Sequence, residues 1–217
     1  DRSPSRGLGD VYKRQIYMRG ANMADIKIIV DSGSDIPQDI ADKYNIGVIS
    51  FLSIFGTEQY VQRTEITNEQ FFDKLEEYDG IPTTSQTPFG DMLDYFKQQC
   101  EEHESVIYFA LSSAASGQYQ TANLVKSEIE EENPNADFHI VDTQKFSLYI
   151  AQTAVHAAQM AKDGKSVDEI ITECEKYIKT WRCYLLVDTL KYLEKGGRLS
   201  KAAAFVGTML DLSLIHI

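Results

Sequence analysis

The chain has little of what marks the specialised protein classes. Cysteine is scarce: Cys100, Cys174 and Cys183 are far apart, odd in number and outside any CxxC or Cys/His metal spacing. That speaks against a disulfide scaffold or a zinc site and reads as buried thiols in a reducing cytosol. No apolar run approaches the roughly 18 residues that a membrane span needs. The longest candidates, IKIIV, SVIYFALSS and CYLLVD, are strand-sized. Basic residues are outnumbered, 21 Lys and Arg against 33 Asp and Glu for a net charge of −12. They form no cluster that could track a phosphate backbone, so nucleic acid is a poor partner. Walker, GxGxxG and GxSxG motifs are lacking too, which argues against a nucleotide site and against a hydrolase elbow. What is present, 43% hydrophobic and 25% charged residues over 217 positions, suffices to bury a core and excludes a disordered chain.

Composition changes abruptly at Met23. Residues 1–22 carry a net charge of +3 and the remainder −15. The front stretch DRSPSRGLGDVYKRQ and the terminal LSLIHI read as translated adapter sequence. The front has no apolar h-region and is no secretory signal; a basic transit peptide is the competing reading. The expected organisation is a non-native extension over 1–22, an α/β domain over 23–160, the beginning of an α+β domain over 161–211, and adapter residues over 212–217. The natural product is then expected to continue past Asp211.

From Met23 onward, strand-like and helix-like segments alternate. Strands are expected over 26–30, 46–51 (within IGVISFLSI), 105–110 and 137–141, with a further one in RCYLLVD. Pro37 and Pro88 each open a helix at its first position. Thr67 with Gln70, and Ser166 with Glu169, have the form of capping boxes. Phe71, Phe72, Leu75 and Tyr78 give one helix its apolar face; Phe89, Met92, Leu93 and Phe96 do so for the next. GIPTTSQT reads as a loop. Strands separated by helices of ten or more residues imply βαβ crossovers, hence an α/β fold with a mainly parallel sheet covered by helices on both faces.

Ligands of open α/β sheets gather beyond the carboxyl ends of strands. The informative segments are therefore DSGSD, SSAASGQY and DTQKFS, all short and rich in hydroxyls. Ser116 and Gly117 sit where a helix begins, where free N–H groups and the helix dipole favour an anion. Thr84, Ser85 and Gln86 lie similarly before the helix at Pro88. Ser and Thr at helix starts are commonly caps and nothing more, and the residues leave both readings open. The four histidines, His103, His139, His156 and His216, read as structural or solvated, leaving Ser116 without an evident base. In LEKGGRLS the two glycines read first as a helix C-cap, with Arg198 able to offer charge to an anionic ligand or a partner protein.

Together, DSGSD, TSQTPFGDM (84–92), SSAASGQYQTA (112–122), IVDTQKFSL (140–148) and LVDTLKYLEKGGRLSKAAAFVGTML (186–210) resemble the DegV family of bacterial proteins, over essentially all of residues 25–210. The resemblance implies a cytoplasmic carrier without catalytic residues, metal or cofactor. Its ligand would be a long-chain fatty acid held between an α/β and an α+β domain and presented to a separate fatty acid kinase subunit. It assigns the carboxylate to Thr84 and Ser116, with Ser85, Ser113 and Gly117 shaping the loops and Arg198 in the family's KGGR segment. The chain departs from the family at Ala115 and Gln118, where LSG and GTY are usual, and at Tyr149 and Ala151, where glycines are common. The family's later basic and histidine residues are not in this chain.

Burying about 14 methylenes at roughly 0.8 kcal/mol each gives on the order of 11 kcal/mol, against association costs of about 4 kcal/mol or more. The tail would supply affinity. The hydroxyls would satisfy a carboxylate that is otherwise costly to bury, and so set its orientation. Two rival readings stand beside this one: a serine esterase or acyltransferase using Ser116, and a binding module for another small anion.

Overall fold

The computed structural model of the chain describes residues 25–182 and 191–198. The expected strand in RCYLLVD, with Cys183, and both suspected adapter stretches, with His216, lie outside the described residues, apart from Arg182.

Four strands form a parallel sheet: β1 (Ile26–Asp31), β2 (Gly47–Ile49), β6 (Ser105–Ala110) and β7 (Phe138–Asp142), in the order β2-β1-β6-β7. All six residues of β6 are buried, as a continuous apolar run requires when both faces of a strand are covered. Because side chains alternate across a strand, Ile28, Val30, Ile107, Phe109 and Val141 share one core with Ile150, Ala154 and Ala157 of α5 (Leu148–Lys162) and with Ile170, Cys174 and Ile178 of α6 (Val167–Thr180). On the opposite face Ile29, Val106, Tyr108 and Phe138 meet Met92 and Phe96 of α3 (Phe89–Glu102) and Ala122, Val125 and Ile129 of α4 (Gln118–Glu132). The α/β architecture with helices on both faces is the one the sequence predicts. The expected boundary near residue 160 falls between two helices that contribute to one core.

The segment 46–54 is not one strand. After Ile49 the chain leaves the parallel sheet, and the Phe51 amide donates to Ser32 Oγ at 3.0 Å instead of continuing the ladder. The chain then builds a second, antiparallel sheet. In it β3 (Leu52–Phe55) lies between β4 (Glu58–Val61) and β5 (Thr83–Ser85), so part of the expected loop GIPTTSQT is a strand. Gly56 turns the β3–β4 hairpin at φ +62°, a conformation glycine adopts without strain.

Short helix α1 (Gln38–Tyr44) follows β1, and α2 (Asn68–Glu77) packs beside the second sheet through Phe71, edge-on to Phe55 with centroids 5.4 Å apart. Phe72 is 60% exposed, because Phe71 and Leu75 define the inward stripe and a residue one position on is rotated by about 100°. Phe89, the first residue of α3, is also largely exposed, and that helix's buried stripe begins at Met92. Both expected capping boxes are formed, at Thr67 with Gln70 and at Ser166 with Glu169. Pro37 and Pro88 occupy the N-cap itself, one residue before the predicted place.

Candidate functional site

The chain passes from β1 to β2 on one side, while β6 lies on the other side of β1, so the winding reverses between β1 and β6. The carboxyl ends of these strands carry the segments singled out from sequence, and hydrogen bonds bring the three together. Ser147 N donates to Gly33 O at 2.7 Å, joining the turn after β1 to the loop after β7. Ser112 N donates to Lys145 O at 3.0 Å, and Thr143 Oγ1 to Ala110 O at 2.8 Å, joining that loop to the end of β6. Ser147 holds φ 58° and ψ −145°, a region nearly reserved for glycine and therefore strained.

Asp31 closes β1 and is fully buried. Its Oδ2 accepts from the Leu111 amide at 2.6 Å and from the Tyr108 hydroxyl at 3.0 Å. Its Oδ1 is buried without a partner and lies against Gly33, where an added Cβ would stand 3.1 Å away. Burial raises the carboxyl from 3.8 to about 6, against the opposing pull of the Leu111 and Tyr108 hydrogen bonds. The Tyr108 hydroxyl is pushed well upward by burial, with the Asp31 charge adding to it.

The turn after β6 runs from Ser112 to Gly117, the N-cap of α4. Ser116 is half-buried, its amide donates to Ser112 O at 3.1 Å, and its hydroxyl accepts from the Gln118 amide at 3.2 Å. That contact caps the helix start and leaves the hydroxyl its own proton to donate. Ser113 is committed elsewhere, its hydroxyl and amide both donating to Asp142. Thr84 is exposed on β5, directly across from Ser53 of β3. Ser85 is half-buried, its hydroxyl turned to Gln86 O at 3.2 Å.

The Thr84 and Ser116 segments belong to different sheets yet are stitched together. Gln118 Nε2 donates to Thr87 Oγ1 at 3.0 Å, and the Thr87 amide donates to Gln118 Oε1 at 3.1 Å. Gln86 Nε2 donates to Thr121 Oγ1 at 2.6 Å, and a Cβ at Gly117 would overlap Gln86 Oε1. Gly117 is thus where the two segments pass in contact. Arg198 arrives from a helix end: α7 (Lys191–Lys195) terminates with Gly197 at φ +73° and the Arg198 amide on Leu193 O, the expected cap. Its Nε donates to Ala115 O at 3.2 Å and its Nη1 to Gly196 O. Of the six candidates, Ser116, Gly117 and Arg198 therefore meet at one turn, and Thr84 and Ser85 are carried on the strand fastened to it. Ser113 faces the β7 end.

Sequence reasoning missed Thr87, Gln118 and Asp142 as the residues that hold these segments. One signal existed: Gln118 stands on the stripe Gln118, Ala122, Val125 and Ile129, all buried, and a polar residue on an apolar stripe demands partners.

Beside β3, a cavity of about 690 Å³ is lined by Ser32, Ile36, Ser53, Gln62, Arg63 and Phe71, among others, within the size range of small-molecule sites. Ser53 pairs with Thr84, and directly paired residues share a sheet face, so Thr84 belongs to the face that borders this cavity. The described histidines are engaged elsewhere: His103 with Asp25, His139 with Asp137, and His156 against the Tyr177 ring. Burial raises the Cys100 thiol to about 11 and the Cys174 thiol to about 12, which keeps both protonated and poor as nucleophiles. Among the described residues no group of three or more His, Cys, Asp or Glu could hold a metal ion, and no helix is long and apolar enough to cross a membrane.

A family model described as an uncharacterised protein of the DegV family matches residues 25–216. A DegV domain-containing protein of Clostridium perfringens is 35% identical over 188 residues, which cover 85% of this chain and 64% of that relative. The chain thus spans a little under two thirds of that curated relative's length. Among solved structures, DegV of Bacillus subtilis, described as a fatty acid binding protein, superposes with a TM-score of 0.77 at 32% identity, covering 85% of this chain and 64% of its own. A DegV family protein from Thermus thermophilus, described by its fatty acid binding, superposes with a TM-score of 0.73 at 30% identity, covering 87% and 66%.

Proposed function

The chain belongs to the DegV family, and from that premise we propose that it binds a long-chain fatty acid as a non-catalytic carrier. Thr84 and Ser116 donate to the acyl carboxylate. Ser85 and Gly117 shape the contact between their segments, Ser113 fastens the turn, and Arg198 supplies the neighbouring positive charge. The acyl tail lies in an apolar tunnel. The bound acid is offered in the cytoplasm to a separate fatty acid kinase subunit, which carries out the phosphorylation.

The observation that carries this reading is the stitching of two hydroxyl-bearing segments from different sheets at one edge, with Arg198 on the Ala115 carbonyl of the same turn. Two donors and a guanidinium at a helix start match what a carboxylate needs on leaving water. The fatty acid binding described for the Bacillus subtilis and Thermus thermophilus relatives supports the choice of ligand.

The test is native mass spectrometry of the protein purified from a bacterial host, with the released molecules identified after denaturation. A saturated or unsaturated acid of about 14 to 18 carbons, near one per chain and reduced by Thr84→Ala and Ser116→Ala, is the expected result. An empty protein that ignores added fatty acid overturns the reading. Ester turnover abolished by Ser116→Ala replaces it with hydrolysis.

A further inference from the structure

We propose that Gln118 is the positioning residue of the head-group site: its side-chain amide fixes the Thr84 strand against the Ser116 turn, so that the two hydroxyls meet one carboxylate. This rests on the fatty acid reading of the same site.

Gln118 is fully buried, as are Tyr108 and Asp31, and Thr87 is 5% exposed. The side-chain amide is used from both ends by a single residue, with Oε1 accepting from the Thr87 amide and Nε2 donating to its hydroxyl. The Thr87 hydroxyl in turn donates to Ser50 O at 2.8 Å. Tyr108, buried in the core that α4 packs against, donates to Asp31 Oδ2 at 3.0 Å. The chain Gln118, Thr87, Ser50 therefore runs from the start of α4 to the link between the two sheets. Gln118 and Thr87 hold each other at two points, and a buried side-chain pair satisfied in this way has one geometry.

The two candidate donors flank this clamp closely in sequence. Thr84 lies three residues before Thr87, on the strand that leads into it, and Ser116 lies two residues before Gln118, its hydroxyl accepting from the Gln118 backbone N–H. A two-point contact to a carboxylate is sensitive to the spacing of its donors, because hydrogen bonds weaken steeply with misdirection. The acyl tail makes no such demand. Loss of the clamp should thus cost recognition of the acid group and spare the hydrocarbon.

The experiment measures the affinity of the protein for palmitic acid and for hexadecanol, which share a tail and differ at the head. Gln118→Met, which keeps the volume and removes the amide, is expected to weaken palmitate about tenfold or more, the range of one hydrogen bond to a charged group, with hexadecanol changed less than about twofold. Thr87→Val should reproduce the selective loss, Thr87→Ser should restore palmitate binding, and the Thr87→Val, Gln118→Met pair should be no worse than either change alone. Thr87→Val and Thr87→Ser decide the matter should Gln118→Met fail to fold.

An equal loss for both probes makes the clamp a stability element only and overturns the inference. So does unchanged palmitate binding in a protein that Thr84→Ala and Ser116→Ala still impair, and in that case the fatty acid reading survives. A wild-type protein that binds neither probe sinks both.

Discussion

Ser113 donates its hydroxyl to Asp142 Oδ2 at 2.6 Å and its amide to Oδ1 at 3.1 Å, so one carboxylate ties the turn after β6 to the end of β7. The Gln144 amide shares Oδ1 at 3.0 Å. Ser113→Ala leaves Asp142 with two of three donors and should cost about 1 to 2 kcal/mol of stability by denaturant unfolding. Its effect on fatty acid retention should be clearly smaller than that of Ser116→Ala. Equal effects would assign Ser113 a direct contact with ligand.

Asp31 makes stability depend on pH in the unusual direction for a carboxylate. Its folded value, about 6, lies above its ordinary 3.8, so the native state holds the proton more tightly than the unfolded chain. The contribution is complete below about pH 4 and is lost as pH rises through 6, amounting to about 3 kcal/mol. Asp31→Asn keeps an oxygen for Leu111 and Tyr108 and removes the titration. The stability of the variant relative to wild type should therefore rise by about 2 kcal/mol between pH 4 and pH 7, read from urea melts at both. A flat difference would mean that Asp31 does not titrate in this window.

Gly117→Ala tests the contact between the two stitched segments. The backbone there, φ −74°, suits alanine, so any penalty comes from the overlap with Gln86 Oε1 and the displaced Gln86–Thr121 hydrogen bond. A loss of about 1 kcal/mol is expected, relieved in the Gln86→Ala background because the obstructing atom is gone. Additive losses would contradict the overlap.

The two capping boxes differ in their distance from the site, since Thr67 lines the cavity beside β3 and Ser166 does not. Thr67→Ala and Ser166→Ala each remove the acceptor for the third helical amide, Gln70 N or Glu169 N, and should each cost about 1 kcal/mol. Ser166→Ala, remote from the cavity, should leave lipid retention unchanged. Glu169 itself is held down to about 2, chiefly by the Ser166 amide and then by Lys165. Its share of stability is present above the ordinary glutamate range and lost on acidification below it.

The parallel sheet and its helices were legible because their signals are local. IKIIV and SVIYFA are apolar runs of strand length, and the helices announce themselves by caps and by stripes such as Met92, Leu93 and Phe96. The second sheet was not, because EQYV and TTS lie at its edges and carry few apolar residues, their side chains exposed or half-buried. The site was legible to the level of segments, since ligands favour the carboxyl ends of strands at a reversal of winding. The clamp was not, because Thr87 and Gln118 are 31 residues apart and nothing in either neighbourhood specifies the other.

Thr84 rides on the antiparallel sheet and Ser116 on the turn that follows the parallel one. An anion that accepts a hydrogen bond from both is therefore a rivet between two separately built layers. Occupancy would stabilise the closed arrangement by mass action alone, and hydrogen exchange of β3 and β5 amides should slow toward that of β1 as palmitate is added. The smaller sheet would then carry, in its opening rate, a record of whether the cargo is aboard.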